Sequence, residues 1–246
     1  MEKDKPFAST YEEYSTEACK YVQNLREPIA TKIRSIVESM RDFTERICGY
    51  LPTADELQWP ELKPNYNQDV TRLIPFHEAY SYGITDAVIY FYIDDSLFLR
   101  LFRNPDKYIP FLKECKGVIG PDVSQFTDMP EEMRYRHSWC NRAMSSILQY
   151  NDVNLYPNIT WSKRDSYRYS FPLNLKNSVI AVNSNGVHKN GLTLYRWKRG
   201  YQMALEQLSP LHIIRFGKKV EGENASISSY FNNKRLILLK NGRKRK

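Results

Sequence analysis

A chain of 246 residues, 41% hydrophobic with 18 Tyr and 11 Phe, is long and apolar enough to bury a sizeable core and is not a disordered segment. Its formal net charge of +8 is concentrated at one end: seven Lys or Arg and no acid follow Asn233, which leaves +1 on the first 233 residues and makes basicity a property of the tail. No signal-like apolar region opens the sequence, no apolar run nears the ~18 residues of a membrane helix, and Cys19, Cys48, Cys115 and Cys140 form no CxxC pair, so a cytoplasmic protein with no membrane partner is expected rather than a secreted disulfide scaffold.

Ser9 and Thr10, followed by Glu12 and Glu13, predict a helix start with acids at the positive end of its dipole, and that helix ends before Pro28. The next stretch has the clearest helical period in the chain. Ile29, Ile33, Ile36, Val37, Met40, Phe43, Ile47 and Leu51 recur at three- and four-residue steps between charged residues, so this amphipathic helix needs a partner surface, either its own domain or a second subunit. Pro52, Pro60 and Pro64 mark a linker pinned by Trp59, and Ile74 to Phe76 a short strand or turn. Ala87 to Ile93 is apolar or aromatic almost throughout, as in a strand covered on both faces, and it stops at Asp94 and Asp95. A helical connection through Leu97, Phe98, Leu101 and Phe102 ends at Pro105, and a further turn with Ile109 and Leu112 leads to a second strand at Gly117 to Gly120.

Asp128 and Glu131 are spaced as a capping box around Pro130 and predict the entry to a long helix that turns Met133, Cys140, Ala143, Met144, Ile147 and Leu148 to the core. Val153 to Trp161 reads as a third strand interrupted by Pro157, Ser166 to Phe171 as a short hairpin arm, and Ser178 to Val182 as a fourth strand. Leu194, Trp197, Tyr201, Ala204 and Leu208 mark another helix, followed by a strand over His212 to Phe216 and an edge strand within Ile227 to Leu239. This alternation predicts an α/β fold, with a largely parallel sheet or incomplete barrel and flanking helices, preceded by an N-terminal helical extension. The expected boundaries are a helical extension over 1–51, a linker over 52–69, the α/β domain over 70–233 and a basic tail over 234–246.

Parallel strands joined by right-handed crossovers put their carboxyl ends on one edge, where α/β proteins bind ligands. That edge collects Asp94 and Asp95 from one strand, and Asp122 and Ser124 from the next. Asp95, Asp122 and Ser124 are the candidate catalytic residues. Asp94, Asp95 and Asp122 are also candidate ligands of a divalent cation, the one cofactor considered, because hard cations take carboxylate oxygens. The competing structural reading has Asp95 capping the helix that begins near Ser96 and Asp122 starting a turn behind Pro121. Arg142, Trp161, Asn183, Ser184, Asn185 and Gly186 are the candidate substrate-binding residues: a cation for an anion, an indole on which a base stacks, and a turn that offers backbone N–H groups. His77, His137, His188 and His212 are scattered, Ser124 lacks a GxSxG elbow, and neither GxGxxG nor GxxxxGK[ST] is present. In the tail, Lys240, Arg243, Lys244, Arg245 and Lys246 are the candidate nucleic-acid-binding residues, acting by unspecific charge neutralisation.

The runs IYFYIDD, GPDVS, PNITW (Pro157 to Trp161), SVIAVNSNG and IIRFG (Ile213 to Gly217), with the Asn141–Arg142 pair, Gln149 and Gly200, resemble the bacterial and phage family called domain of unknown function 4417 over residues 70–217. Asp95, Asp122, Ser124, Asn141, Arg142, Trp161 and Gly186 sit on its recurrent polar or glycine positions, while Val123 stands where an aromatic is expected and Asn158 where Thr is expected. The resemblance implies a phage or mobile-element origin and no established activity. The expectation for function is a hydrolase or nucleic-acid-processing enzyme. Its rivals are a non-enzymatic nucleic-acid or ligand-binding accessory protein, served by the tail, and an interaction module or oligomer built on the N-terminal helix.

Overall fold

The computed structural model describes residues 7–47, 51 and 59–232; the tail with Lys240, Arg243, Lys244, Arg245 and Lys246, Cys48, and positions 52–58 lie outside the described residues. Among the described residues, seven short strands follow one another in space as in sequence, and every neighbouring pair is parallel. β1 (Leu73–Pro75), β2 (Val88–Tyr90), β3 (Gly117–Ile119) and β4 (Leu155–Tyr156) form one ladder, and β5 (Val179–Asn183), β6 (His212–Phe216) and β7 (Ser228–Phe231) a second. A parallel bridge, Asn158 to Ala181, joins the two. Pro157 accounts for this thin seam, because it has no N–H to donate and β4 ends in front of it. Asn65, from the segment that precedes β1, fills the gap below the bridge: its carbonyl accepts from Val179 N at 2.6 Å and its side-chain amide donates to Leu155 O at 2.8 Å.

The joined sheet is curled. In a flat sheet β2 and β6 would lie about four strand spacings, or roughly 19 Å, apart, yet the rings of Tyr90 and Phe216 are 4.5 Å apart between centroids. The strands therefore wrap round a shared interior filled by Val88, Tyr90, Ile119, Tyr156, Ala181 and Phe216, an incomplete barrel with no ladder between β1 and β7 among the described residues. Alternate residues face outward: Ile89, Phe91, Val118 and Leu155 pack under the helices of the first ladder, while Ile180, Val182 and Ile213 pack under α8 (Gly191–Leu208). Burial on both faces is the reason the β2 segment reads as an unbroken apolar run.

Between the strands lie α3 (Phe76–Tyr82), α4 (Leu99–Arg103), α5 (Pro105–Glu114), α6 (Glu131–Tyr150) and α7 (Tyr167–Ser170). Ahead of them, α1 (Phe7–Gln23) and α2 (Ile29–Ile47) pack onto the same core. Ala30, Ile33, Ile36, Met40 and Phe43 of α2 are buried against α1, α4 and α6, and each large one is worth about 1.5–3 kcal/mol. Most of the apolar stripe of α2 is thus covered by its own chain, with Ile29 left exposed at its start. Among the described residues no helix is long and apolar enough to cross a membrane.

Several local expectations are corrected. The first helix begins at Phe7, ahead of Ser9 and Thr10. Pro105 stops α4 but also opens α5, since the first helical position needs no N–H partner. Asp128 and Glu131 form no capping box: Asp128 accepts from Tyr21 Oη at 2.9 Å and Glu131 pairs with Arg168 at 2.8 Å, so tertiary partners take both carboxylates. The 166–171 stretch is helical rather than a hairpin arm, because Ser166 Oγ takes Ser162 N at 3.0 Å and bonds Lys163 O, and Tyr169 stacks on Trp59.

Candidate functional site

The loop after β3 is built to hold one side chain. Gly120 lets α6 approach: a Cβ there would stand 2.6 Å from Ser145 Oγ. From α6, Asn141 Oδ1 accepts from Val123 N at 2.9 Å and its amide reaches Val123 O at 3.5 Å. Asp95 Oδ1 accepts from Ser124 N at 3.2 Å. His137 Nδ1 meets Ser124 O at 2.7 Å, and since a carbonyl only accepts, Nδ1 carries the proton. Asn158 Nδ2 donates to Pro121 O at 3.0 Å. With the backbone gripped on either side, Asp122 is held at the carboxyl end of the strands.

Its own partners are neutral. Asn158 Nδ2 donates to Asp122 Oδ1 at 3.2 Å and Asn183 Nδ2 to Oδ2 at 3.4 Å, while the Tyr92 hydroxyl, 3.0 Å from Asn158 Oδ1, fixes that amide. Burial raises the Asp122 pKa above the ordinary carboxylate value, and the bonds from Asn158, Asn183 and Thr160 offset only part of the rise. Asp122 opens on two connected hollows. One, of about 370 Å³, is lined by Thr160, Trp161, Gly186, Lys189 and Arg196 among others; the other, of about 410 Å³, extends past Tyr92 to Asp94 and Ser124. Asp122, Trp161, Asn183 and Asn185 line both.

The far wall rests on α8. Trp161 lies 5.8 Å from Trp197 between ring centroids, and a Cβ on Gly200 would come within 2.1 Å of its Nε1, so only glycine lets the indole seat against the helix. Trp197 Nε1 donates to Asn183 O at 2.8 Å. Beneath it the Arg215 guanidinium lies 4.8 Å from the Trp197 ring and pairs with Glu223 at 2.5 Å, both side chains fully buried.

The remaining sequence candidates are placed as follows. Asp95 is 1% exposed and does not line the cleft; burial raises its pKa to about 6, against the pull of the Ser124 side chain and amide. It is Asp94, not Asp95, that caps the turn at Ser96, accepting from Ser96 N at 3.1 Å, and Asp94 also pairs with Lys32 of α2 at 2.6 Å. Burial raises the Asp94 pKa, but Lys32 and Ser96 outweigh it and hold the carboxyl below its usual value. The three carboxylates are thus committed in three directions, and among the described residues no group of three His, Cys, Asp or Glu is placed to hold a metal. Arg142 is turned away from the cleft: Nε donates to Pro60 O at 2.6 Å and the guanidinium lies over Trp59, tying down the segment before β1. Ser184 is buried, its hydroxyl on Lys218 O at 2.7 Å, whereas Asn185 and Gly186 are exposed on the cleft. Thr160, Lys189 and Arg196 escaped the sequence reading, which named Asn158 only as a departure from the family pattern. Asn158 and Thr160 continue the every-second-residue face of Tyr156, a legible signal; Lys189 and Arg196 become neighbours of Asp122 only through folding.

A family model described as Domain of unknown function (DUF4417) matches residues 51–232. The Gene 1 protein of Mycobacterium phage D29 is 21% identical over 174 residues, 68% of this chain and 63% of that protein. The Gene 1 protein of Mycobacterium phage L5 is 21% identical over 149 residues, 59% of this chain and 63% of that protein. The chain therefore spans less than two thirds of the length of either relative. No solved structure matches.

Proposed function

The chain belongs to the phage-associated family described as Domain of unknown function (DUF4417), which brings no reaction with it, and from that premise we propose that the cleft is the active site of a hydrolase with Asp122 as general base. The observation that carries this reading is a half-buried carboxylate held by neutral donors alone, with its pKa raised, at the open edge of a parallel barrel. Neutral amides orient Asp122 without discharging it, so it takes and returns a proton nearer to neutral pH than an ordinary Asp. In the reaction, a water oxygen bonds the electrophilic centre of the substrate while its proton passes to Asp122, and the leaving group departs with a proton returned from the same carboxyl. Lys189 and Arg196, on the same cavity, favour an anionic substrate such as a phosphate ester. A purely ligand-binding accessory protein would use the same walls but would give no reason to bury an unpaired carboxylate at their base.

The test is hydrolysis of a panel of phosphodiesters and phosphomonoesters by the purified protein. Asp122→Asn should lower kcat by about 10²–10⁴-fold while the thermal midpoint stays level or rises, and the acid limb of the wild-type rate profile should lie above the ordinary carboxylate pKa. Turnover that survives Asp122→Asn rejects the assignment.

A further inference from the structure

The near-neutral charge of the body hides a strong asymmetry. Residues 161–200 contain eight Lys or Arg and one acid, Asp165, so this segment carries +7 while the rest of the first 233 residues carries −6. Folding pairs some of these cations: Arg168 with Glu131, and Lys198 with Glu221. Arg164, Lys189, Arg196 and Arg199 have no carboxylate partner among the described residues. On α8, Leu192, Tyr195, Arg196 and Arg199 recur at three- and four-residue steps and so share one face, on which Tyr195 is 61% exposed. Tyr167, on α7, stands within electrostatic reach of Arg164, Tyr195 and Arg199, which joins the two helices into one surface. Arg196 belongs both to this face and to the cleft wall, beside Lys189 and Trp161.

We propose that this face is a track for single-stranded nucleic acid that leads into the cleft. Phosphates sit on Arg164, Arg199, Arg196 and Lys189, and unpaired bases stack on Tyr195 and, inside the cleft, on Trp161. Unpaired cations interleaved with exposed rings suit a single strand, whose bases are free to stack, and a hollow of about 370 Å³ has the size of a small-ligand site rather than a duplex groove. The destination of the strand rests on the active-site reading of Asp122; the track itself does not. None of its residues belongs to the C-terminal tail.

The test uses the full chain and a fluorescent oligothymidylate of about 12 nucleotides, with anisotropy read from 50 to 200 mM salt. Replacing Arg164, Arg196 and Arg199 by Ala should weaken binding at the low-salt end about tenfold or more and flatten the slope of log affinity against log salt by about 2, at roughly 0.7 per phosphate of a single strand. Tyr195→Ala should weaken binding about fivefold or more with the slope unchanged, and Tyr195→Phe should restore it. The same charge change elsewhere on the body, Lys107, Lys113 and Lys116 to Ala, should cost far less. Equal losses in both triple variants, unchanged affinity in the arginine triple, or binding to phosphatidylserine vesicles but not to the oligonucleotide would each overturn the proposal. Asp122→Asn separates the two readings: it should bind the oligonucleotide at least as tightly as wild type does, and if it also keeps full turnover the general-base assignment fails while the track stands.

Discussion

The two walls of the cleft are held by opposite means. The wall after β3 is gripped by several mostly neutral hydrogen bonds between Asn141, Asn158, His137 and Asp95 and the backbone of Pro121, Val123 and Ser124. The wall on α8 presents cations with no carboxylate partner and rests on one fully buried ion pair, Arg215 with Glu223, under Trp197. The first arrangement holds one carboxylate in place, as the proposed proton transfer requires; the second leaves long side chains without carboxylate partners, as the proposed track requires. Rigidity and adaptability are thus separated across a few ångströms by the choice between many neutral bonds and one buried charge pair.

The largest expected effect lies under the α8 wall. Glu223→Ala strands the Arg215 guanidinium in the core and should cost about 3–5 kcal/mol in urea unfolding. A loss under 1 kcal/mol would mean that the wall does not depend on that pair. On the opposite wall, pH probes the grip on Ser124. Asp95 has its folded pKa raised to about 6, so its contribution is present below the unfolded value near 4 and is lost as pH rises through 6. Asp95→Asn keeps an acceptor for Ser124 N and removes the penalty, so it should be more stable than wild type by about 3 kcal/mol at pH 7, and the gap should close by pH 4. His137, lowered to about 4 by burial, runs the other way: its contribution is present above pH 6.5 and is lost on acidification through 4. It remains in both proteins and cancels from the comparison. A gap that does not change with pH would place the proton elsewhere.

Asn141→Ala is next in size. It leaves the Val123 amide and carbonyl unsatisfied in a buried place, at about 1–3 kcal/mol, and by freeing the loop it should lower turnover more than binding of the oligonucleotide. An equal loss of both would argue that the loop does not orient Asp122. The smallest effect is Arg199→Ala, which should leave stability within about 0.5 kcal/mol while weakening oligonucleotide binding; a clear drop in thermal midpoint would make it a structural residue.

Much of the fold is legible locally. The apolar run from Ala87 to Ile93 marks a strand covered on both faces, the three- and four-residue spacing from Ile29 marks α2, and stops at Asp94, Asp122 and Asn183 mark the edge on which the cleft forms, because each depends only on residues adjacent in the chain. The roles within the site were not legible in the same way. Asp94 and Asp95 are neighbours, yet Lys32 draws one outward and Ser124 draws the other into the core. Arg142 reads as an anion partner but is spent on Pro60 O, 82 residues away, while Arg196 reaches the cleft only because α8 packs on β5 and β6, and Lys189 through the turn that leads from β5 into α8. Periodicity, set by the repeat of the backbone, is written in sequence by itself. Where a polar side chain points at a strand end depends on partners contributed from distant segments, and only the packed tertiary structure decides it.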